Sequence, residues 1–507
     1  MNYVFNLSEI EQITAHGLSE KEAAEQIGYI LSGTKKPELV RPATIGDGIR
    51  ELSKFEIKRL SKLFNEKKNN FTFTKFVPAS GAATRMFKAL SATLYEHKAL
   101  TYSELKDLSG ENEDYSKTLY FLENLTEFPF TSLLEESISI NESTDVIPLL
   151  EKILTGKGLN LSDSPKALIP FHKDSDNINT PVYEHLNEAV KLFGNYANIH
   201  FTVSEKHAER FEENFDLFLK RNNFSREEIS LDYSFQLSKT DTIALDEKNQ
   251  LAKDEEGNVI FRPAGHGALI ENLNKIDSDF IFISNIDNIA HPAVQKDILP
   301  YKQALGGLAI KIKEKIDLIL LELKSKINRQ ANLEEIEEFL SENLFIDFKN
   351  LSFSETAEIE FLLDLLNRPF RIAAMVKNEG EPGGGPFWIK EKENFSLQII
   401  EKSQIDFSDS SQVEILNSST HFNPVDMVCS VKDYNGDKFD LTKFVNPDLG
   451  IVTKKSYNGK ELKVLELPGL WNGAMHNWLT FFVELPLFTF NPVKEINDLL
   501  KENHLGK

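Results

Sequence analysis

An apolar run, Phe280–Ser284, ends in the polar tip Asn285-Ile286-Asp287-Asn288. A buried strand that delivers a carboxylate at its carboxyl end suits a Mg2+ ion that also touches phosphate oxygens, since ligands of open α/β sheets gather at those ends. The plainer alternative is that Asp287 caps the following turn. Upstream, Phe261-Arg262-Pro263-Ala264-Gly265-His266-Gly267 sets two glycines around a histidine, which lets a loop lie flat against a planar base. No cluster of His, Cys or carboxylates surrounds His266 in the sequence, so loop shape explains it better than metal ligation. A third stretch runs Lys75-Phe76-Val77-Pro78-Ala79-Ser80-Gly81-Ala82-Ala83-Thr84-Arg85. It reads as a strand, a small-residue turn and a helix from Thr84 onward, which would aim backbone N–H groups at an anion. Thr84 could cap that helix and Arg85 could fork onto phosphate oxygens, although a tight turn with a surface arginine would look the same. Finally, Gly383-Gly384-Gly385 follow Gly380 between a strand and Phe387-Trp388. Such a stretch is costly to order unless it contacts a ligand; a mobile lid is the alternative.

Strand–helix alternation would position these groups. Ser8-x-x-Glu11 and Ser19-x-x-Glu22 read as capping boxes, the second opening a helix that Gly33 closes, so residues 1–65 are expected to form a helical cap. Strands are expected at Phe71–Val77, Ile199–Val203, Leu231–Leu237, Phe280–Ser284, Phe370–Val376 and Leu397–Ile400, with a helix over Ala208–Lys220. That alternation predicts an α/β fold with a mainly parallel, Rossmann-like sheet. Residues 66–297 would be its nucleotide-binding core, and residues 298–368, rich in Leu, Ile, Lys and Glu, a helical insertion. Residues 369–507 would complete the core and add a β-rich lobe, with hairpins at Asn435-Gly436 and Asn458-Gly459. A hydrophobic run, Trp478–Leu485, and a helix after Pro492 close the chain, while residues 100–160 give no clear pattern.

Composition narrows the partners. With 507 residues and 41% hydrophobic residues, 37 of them Phe, the chain can fill more than one core. A formal charge of −22 argues against nucleic acid or an anionic membrane as a bulk partner, yet a few converging cations can still hold a nucleotide. One cysteine, Cys429, excludes an internal disulfide and a cysteine-rich metal site. The first residues lack a basic segment followed by an apolar one, and no apolar helix is long enough to span a bilayer, so a soluble, cytoplasmic protein is expected.

In order, Ser80–Arg85, Phe235-Gln236, Pro263–Gly267 and Phe280–Asn288 resemble the motifs of the UTP–glucose-1-phosphate and UDP-N-acetylhexosamine pyrophosphorylases, in the nucleotide-diphospho-sugar transferase superfamily. Thr489-Phe490-Asn491-Pro492-Val493-Lys494, with Asp498-Leu499-Leu500, is similar to the closing motif of those enzymes. The resemblance extends, with gaps, from residue 70 to the end, and points to an uncharacterised family within that superfamily. Two departures stand out: Ala79-Ser80 and Ala83 replace glycines of the first loop, and a Pro-Lys pair that follows that loop in the family occurs here only later, as Pro165-Lys166.

The resemblance implies a nucleotidyltransferase that forms a nucleotide-sugar and pyrophosphate from a nucleoside triphosphate, UTP favoured, and a sugar 1-phosphate. It implies Arg85, Lys166 and Lys494 as catalytic cations and Asp287 as the Mg2+ ligand. Ser80, Gly81, Ala82, Ala83, Thr84, Gln236, Gly265, His266 and Gly267 would bind the nucleotide; Asn285, Gly380, Glu401 and Asn423 would bind the sugar. For Lys166 the alternative is a solvated surface lysine. A glycosyltransferase on the same fold would have less use for both Lys166 and Lys494, and the substituted glycines would suit a non-catalytic nucleotide-sugar sensor. The sequence fixes neither the sugar nor the oligomeric state.

Overall fold

Phe370–Lys377 is a strand buried from Phe370 to Val376, the signature of a central position covered on both faces. It belongs to the larger of two compact units in the computed structural model, which describes residues 3–134, 139–325, 329–346, 354–380, 383–391 and 394–506. The first unit joins Met1–Thr74, Ser234–Ile283 and Gln303–Leu487; the second joins Lys75–Tyr233, Ser284–Lys302 and Phe488–Lys507.

In the first unit the strands Thr44–Ile45, Gly48–Arg50, Leu479–Glu484, Phe370–Lys377 and Asp426–Ser430 lie side by side in that order. The first four run parallel, with Ile372 opposite Phe481, and Asp426–Ser430 is antiparallel. A smaller sheet, Phe261–Arg262, Thr242–Leu245, Lys460–Glu466 and Ile451–Tyr457, is covered by the helices Leu7–His16 and Glu20–Ser32, whose Ile13 and Ile27 meet Ile243 and Leu465. The hairpin at Asn458-Gly459 forms as expected, whereas Asn435-Gly436 closes only a single bridge, Lys432 to Lys438. There Asp433 N–H donates to the Asp437 carbonyl at 2.8 Å and Phe439 N–H to the Val431 carbonyl at 2.9 Å, and the Asp433 carboxylate takes the N–H groups of Asn435 and Asp437 inside the turn.

The second unit contains the strands Ala197–Thr202 and Ile229–Ser234 (up to Tyr233), beside Phe73–Pro78 from Lys75 on, and the helices Pro181–Phe193 and Ala208–Asn222. Residues 100–160, unpatterned in sequence, fold into Tyr102–Ser109, Glu113–Glu123 and Ile147–Leu154. With Lys88–Glu96 these enclose a core of Phe87, Leu105, Phe121, Phe130 and Leu150. Lys75, buried at the start of this unit, pairs with Glu188, which also takes Lys302 at 2.8 Å. Burial alone would raise the Glu188 carboxyl, but the Lys302 and Lys75 ammoniums hold it well below the usual carboxylate range.

Several local expectations are corrected. The first capping box is Asn6 with Glu9, not Ser8 with Glu11, because the helix starts two residues earlier, at Leu7; the Ser19–Glu22 box and the Gly33 stop stand. The first 65 residues are not all helical, since Leu39–Pro42, Thr44–Ile45 and Gly48–Arg50 are strands. The segment 298–368 is helical as far as it is described, within Pro292–Lys324, Arg329–Leu344 and Glu355–Leu366; residues 326–328 and 347–353 lie outside the described residues. After Pro492 the chain makes a 3-10 turn, Ile496–Leu500, and the short helix Glu502–Leu505. No helix among the described residues is long and apolar enough to cross a membrane.

Gly307, in the Pro292–Lys324 helix, marks a close crossing in the first unit: a Cβ there would stand 2.1 Å from the Leu60 carbonyl oxygen of the Lys54–Lys67 helix. Backbone cannot yield as a side-chain tip can, so Gly307→Ala should lower unfolding free energy by about 1–3 kcal/mol, the usual range for overpacking. A urea-unfolding midpoint equal to that of the parent protein would refute this crossing.

Candidate functional site

In the second unit the loop after Pro78 is held from both sides. Ala79 N–H donates to the Thr202 carbonyl at 2.9 Å, prolonging the strand contact by one residue. Lys166 N–H donates to Gly81 O at 3.1 Å and Ala83 N–H to Ser164 O at 3.3 Å, an antiparallel bridge of Ala82 with Pro165. The displaced Pro-Lys pair therefore lies against the small-residue loop despite its distance in sequence.

The helix expected from Thr84 begins at Lys88, with Phe87 at its N-cap and no side-chain cap, so Thr84 does not cap it. The Ala83 carbonyl instead takes Met86 N–H at 2.8 Å and Phe87 N–H at 3.3 Å, closing a turn first. Ala83, Met86 and Phe87 are buried in the helical core, whereas Ser80, Gly81, Ala82, Thr84 and Arg85 are exposed. The N–H groups of these five have no acceptor, and the Arg85 guanidinium no partner, among the described residues. A Cβ built on Gly81 meets nothing within 4 Å, so the packing of the chain does not require glycine there.

Lys166 is the hub. Its Nζ donates to Asp287 Oδ2 at 2.8 Å and to the Val493 carbonyl at 2.8 Å, with the Lys166 and Asp287 side chains 16% and 20% exposed. Val493 N–H returns to the Asp287 carbonyl at 3.2 Å, and Asn491 N–H donates to Asn288 Oδ1 at 2.8 Å. Ile496 N–H donates to Met86 O at 3.0 Å, next to Arg85. The segments carrying Arg85, Lys166, Asp287 and Lys494 are thus bonded into one neighbourhood. Lys494 makes no ion pair among the described residues, and its Nζ stands 5.9 Å from the Phe490 ring centre. Its backbone N–H is held by Asp498 Oδ2 at 2.7 Å. Asn285, half-buried, offers its carbonyl to Asn288 N–H.

His185 shapes the same tip from below: its Nε2–H donates to the Ile286 carbonyl at 3.1 Å. Complete burial, helped by the Lys75 ammonium, holds this imidazole neutral. Sequence reasoning missed His185, Asn288 and Asn491 in these roles; their polarity inside apolar stretches was the available signal.

The remaining candidates belong to the first unit. Gly265 has a φ of +78°, and a Cβ on Gly267 would stand 2.2 Å from the Pro468 carbonyl, so both glycines are demanded by the fold. His266 Nδ1 accepts from Leu470 N–H at 3.0 Å, which leaves the proton on Nε2, 3.8 Å from Glu401 Oε1. The facing imidazole holds the Glu401 carboxyl low against the opposing effect of burial. The His266 ring stacks on Trp471, centroids 4.3 Å apart, and the Trp471 carbonyl is fixed by buried Arg371 at 2.5 Å. Burial pushes the Arg371 guanidinium down to about 10.

Gln236 lies beyond the strand Ile229–Ser234, which ends before the expected Leu237, and its Nε2 donates to Asp241 Oδ1 at 3.3 Å. Buried Asn272, which sequence reasoning missed, ties Gln236's neighbour to the helix after Gly267 by donating to Phe235 O at 2.9 Å. Asn423 is buried, with its Nδ2 on Ala374 O and its Oδ1 on Val425 N–H. Gly380 is exposed at φ +117°; the adjoining Glu381 and Pro382 lie outside the described residues.

Fold and site together define a mixed α/β protein, its large sheet mostly parallel, with an open loop of backbone donors beside a Lys–Asp pair. The chain belongs to the family described as Domain of unknown function (DUF4301), which it matches over residues 6–505. No curated protein matches it. Among solved structures it is similar to the uridine diphosphate N-acetylglucosamine pyrophosphorylase of Trypanosoma brucei in complex with inhibitor, at 10% identity and a TM-score of 0.49, over 99% of this chain and 78% of that one. The UDP-glucose phosphorylase of Trypanosoma brucei is 11% identical, over 97% and 77% of the two chains, with a TM-score of 0.45. The UDP-glucose pyrophosphorylase of Leishmania major is 11% identical, over 98% and 79%, with a TM-score of 0.44.

Among the described residues no cluster of three or more His, Cys, Asp or Glu could hold a metal ion. Asp287 is a single carboxylate with one oxygen already on Lys166. That donor set fits a Mg2+ ion that arrives on phosphate oxygens and keeps much of its water, and does not fit a resident ion.

Replacing Lys166 by Met keeps the stem but leaves Asp287 without its cation and Val493 without its donor. Lys166→Met should cost about 1–3 kcal/mol of stability, as expected when a partly buried polar group loses its partner. Unchanged unfolding in denaturant would show that the ion pair holds nothing together.

Proposed function

We propose that the chain is a nucleotidyltransferase that joins a nucleoside triphosphate, preferably UTP, to a sugar 1-phosphate and releases pyrophosphate. The observation that carries this reading is the Lys166–Asp287 pair beside an exposed loop whose N–H groups have no acceptor among the described residues and whose Gly81 the packing does not explain. A glycine unneeded by the chain but open to solvent suits a backbone that an anion approaches closely.

In the proposed reaction an ionised oxygen of the sugar 1-phosphate forms a bond to the α-phosphorus. The bond from that phosphorus to the bridging oxygen of the β-phosphate breaks, and pyrophosphate leaves with the electron pair. The attacking oxygen is already ionised, so no protein nucleophile or base is required. The protein's task is to align two anions and neutralise their charge. Arg85, Lys166 and the loop amides of Ser80–Thr84 would hold the triphosphate, and Lys494 the acceptor phosphate. Asp287 would share a Mg2+ ion with the phosphates, and that ion would supply further charge neutralisation. Asn285 would contact the sugar, while base roles for Gln236 and Gly265–Gly267 and sugar roles for Glu401 and Gly380 rest on the resemblance alone. Asn423, with both ends of its amide engaged by Ala374 O and Val425 N–H, would act on the sugar only by positioning the backbone it holds.

Incubating the purified protein with each nucleoside triphosphate, Mg2+ and a panel of sugar 1-phosphates, with detection of pyrophosphate, tests the reading directly. Pyrophosphate should appear fastest with UTP. Binding without pyrophosphate release would favour a sensor, and sugar transfer from a nucleotide-sugar a glycosyltransferase. Asp287→Asn should abolish Mg2+-dependent turnover; full activity would remove Asp287 from the site.

Gly81→Ala separates fold from ligand. Its stability should stay within about 0.5 kcal/mol of the parent, as for a surface change, while UTP binding weakens. Undiminished binding would mean that no phosphate approaches this backbone.

A further inference from the structure

A chain of buried ionisable groups in the second unit stands apart from the residues assigned above. His172 and Glu184 are 0% exposed and His504 is 3% exposed. Glu184 Oε1 accepts from Asn179 Nδ2 at 3.0 Å and from His172 Nδ1 at 3.3 Å, and its Oε2 from Gln295 Nε2 at 3.3 Å. Gln295 is oriented by Lys191, whose Nζ donates to its Oε1 at 3.0 Å. On its other side His172 Nε2 meets His504 Nδ1 at 3.0 Å.

That nitrogen–nitrogen contact has room for one hydrogen. Two imidazoles that both carried a hydrogen on the facing nitrogens would set N–H against N–H where no water can intervene, so the contact resists full protonation of the pair. The groups facing His504 offer little relief. They are His172 with Glu184 behind it, His291, Lys501 and Asp498, with Phe171 edge-on at 6.4 Å. His291 is committed, its Nε2–H to the Lys173 carbonyl and its Nδ1 to Ala293 N–H. Asp498 is engaged by Lys501 and by the backbone N–H groups of Lys494 and Glu495. Burial, and then the neighbouring His172 imidazole, pushes His504 down to about 3.

His504 lies on the segment that supplies Val493 to Lys166 and Ile496 N–H to Met86. The same segment is tied at Asn503, whose carbonyl accepts from His291 N–H at 2.9 Å. We propose that Glu184, His172 and His504 are positioning residues: they latch the Phe488–Gly506 segment into the seat that puts Val493 and Lys494 beside Lys166 and Asp287, and acid opens the latch. Its consequence for phosphate binding rests on the nucleotidyltransferase reading; the latch itself does not.

The sign follows from linkage. The docked segment resists a proton that the undocked segment accepts near the ordinary histidine value. Docking is therefore complete in strength above about pH 6.5 and weakens by about tenfold per pH unit as the pH falls toward 3. The Asp498 carboxyl is itself held below its ordinary value, so the window from pH 6 to 4.5 reads the histidine pair.

The experiment is amide hydrogen exchange at Val493 and Ile496 in the full chain, corrected for the intrinsic pH dependence of exchange. Between pH 6.0 and 4.5 protection should fall by about 30-fold, one proton's worth. In His504→Asn, which keeps a hydrogen-bonding side chain but cannot titrate, protection at pH 7 should persist and the slope vanish. His504→Phe, which fills the same space but cannot make the bond to His172, should also lack the slope but show lower protection at pH 7 than the parent protein. A flat profile in the parent protein, or an equal slope in both variants, overturns the latch. Binding of inorganic triphosphate with Mg2+ at pH 7 is measured alongside. Failure to bind, with the parent slope intact, would overturn the phosphate reading and leave the latch standing.

Discussion

The second unit depends on one ammonium group. Lys166 Nζ reaches Asp287 and the Val493 carbonyl, each at 2.8 Å, and so joins three stretches of chain that have no local reason to meet. The bond is directional at both ends and only partly screened, because both charged side chains are mostly shielded from water. Around it the backbone adds its own ties, from Gly81 to Lys166, from Asp287 to Val493 and from Met86 to Ile496. A cationic side chain here is a structural joint before it is a ligand for anything.

The two glycine-bearing loops illustrate different uses of a missing Cβ. At Gly267 a methyl group would strike the Pro468 carbonyl, so packing alone accounts for the residue. At Gly81 a methyl group would meet only open space, and the freedom it gives has no use within the chain. Geometry of this kind separates glycines that packing demands from those it does not, a distinction the letters alone cannot make.

Much of the scaffold was legible because it follows continuous apolar runs. Phe280–Ser284 forms with the expected bounds, and Phe370–Lys377 is longer than expected by one residue. Boundaries failed where a turn intercepted the pattern. The Ala83 carbonyl captures two N–H groups and delays the helix to Lys88. Residues 100–160 looked patternless because Phe128 and Phe130 reach the core from 3-10 turns, which lack helical periodicity. One signal was overlooked there: Thr101-x-x-Glu104 is a complete capping box. The meeting of Lys166 with the first loop was out of reach of spacing, because a lone antiparallel bridge places it. The Glu184–His172–His504 chain was equally hidden, its members sharing no motif.

The charge balance gives the arrangement its internal logic. A chain of net charge −22 offers an approaching polyanion little general attraction, so any anion site must be made locally. In the absence of a ligand Asp287 satisfies Lys166, which spares the second unit an unpaired, half-buried ammonium. Among the described residues Arg85 and the exposed loop N–H groups have no partner, and Lys494 faces a ring and no carboxylate. Under the nucleotidyltransferase reading, arriving phosphates would meet these groups first, and Asp287 would offer its carboxylate to the cation that the phosphates bring. The carboxylate would then repel the phosphates wherever that cation was missing. A site built this way would favour the metal-bound nucleotide over the bare one without needing a resident metal, because the same side chain that holds the fold together would also set the charge the ligand must carry.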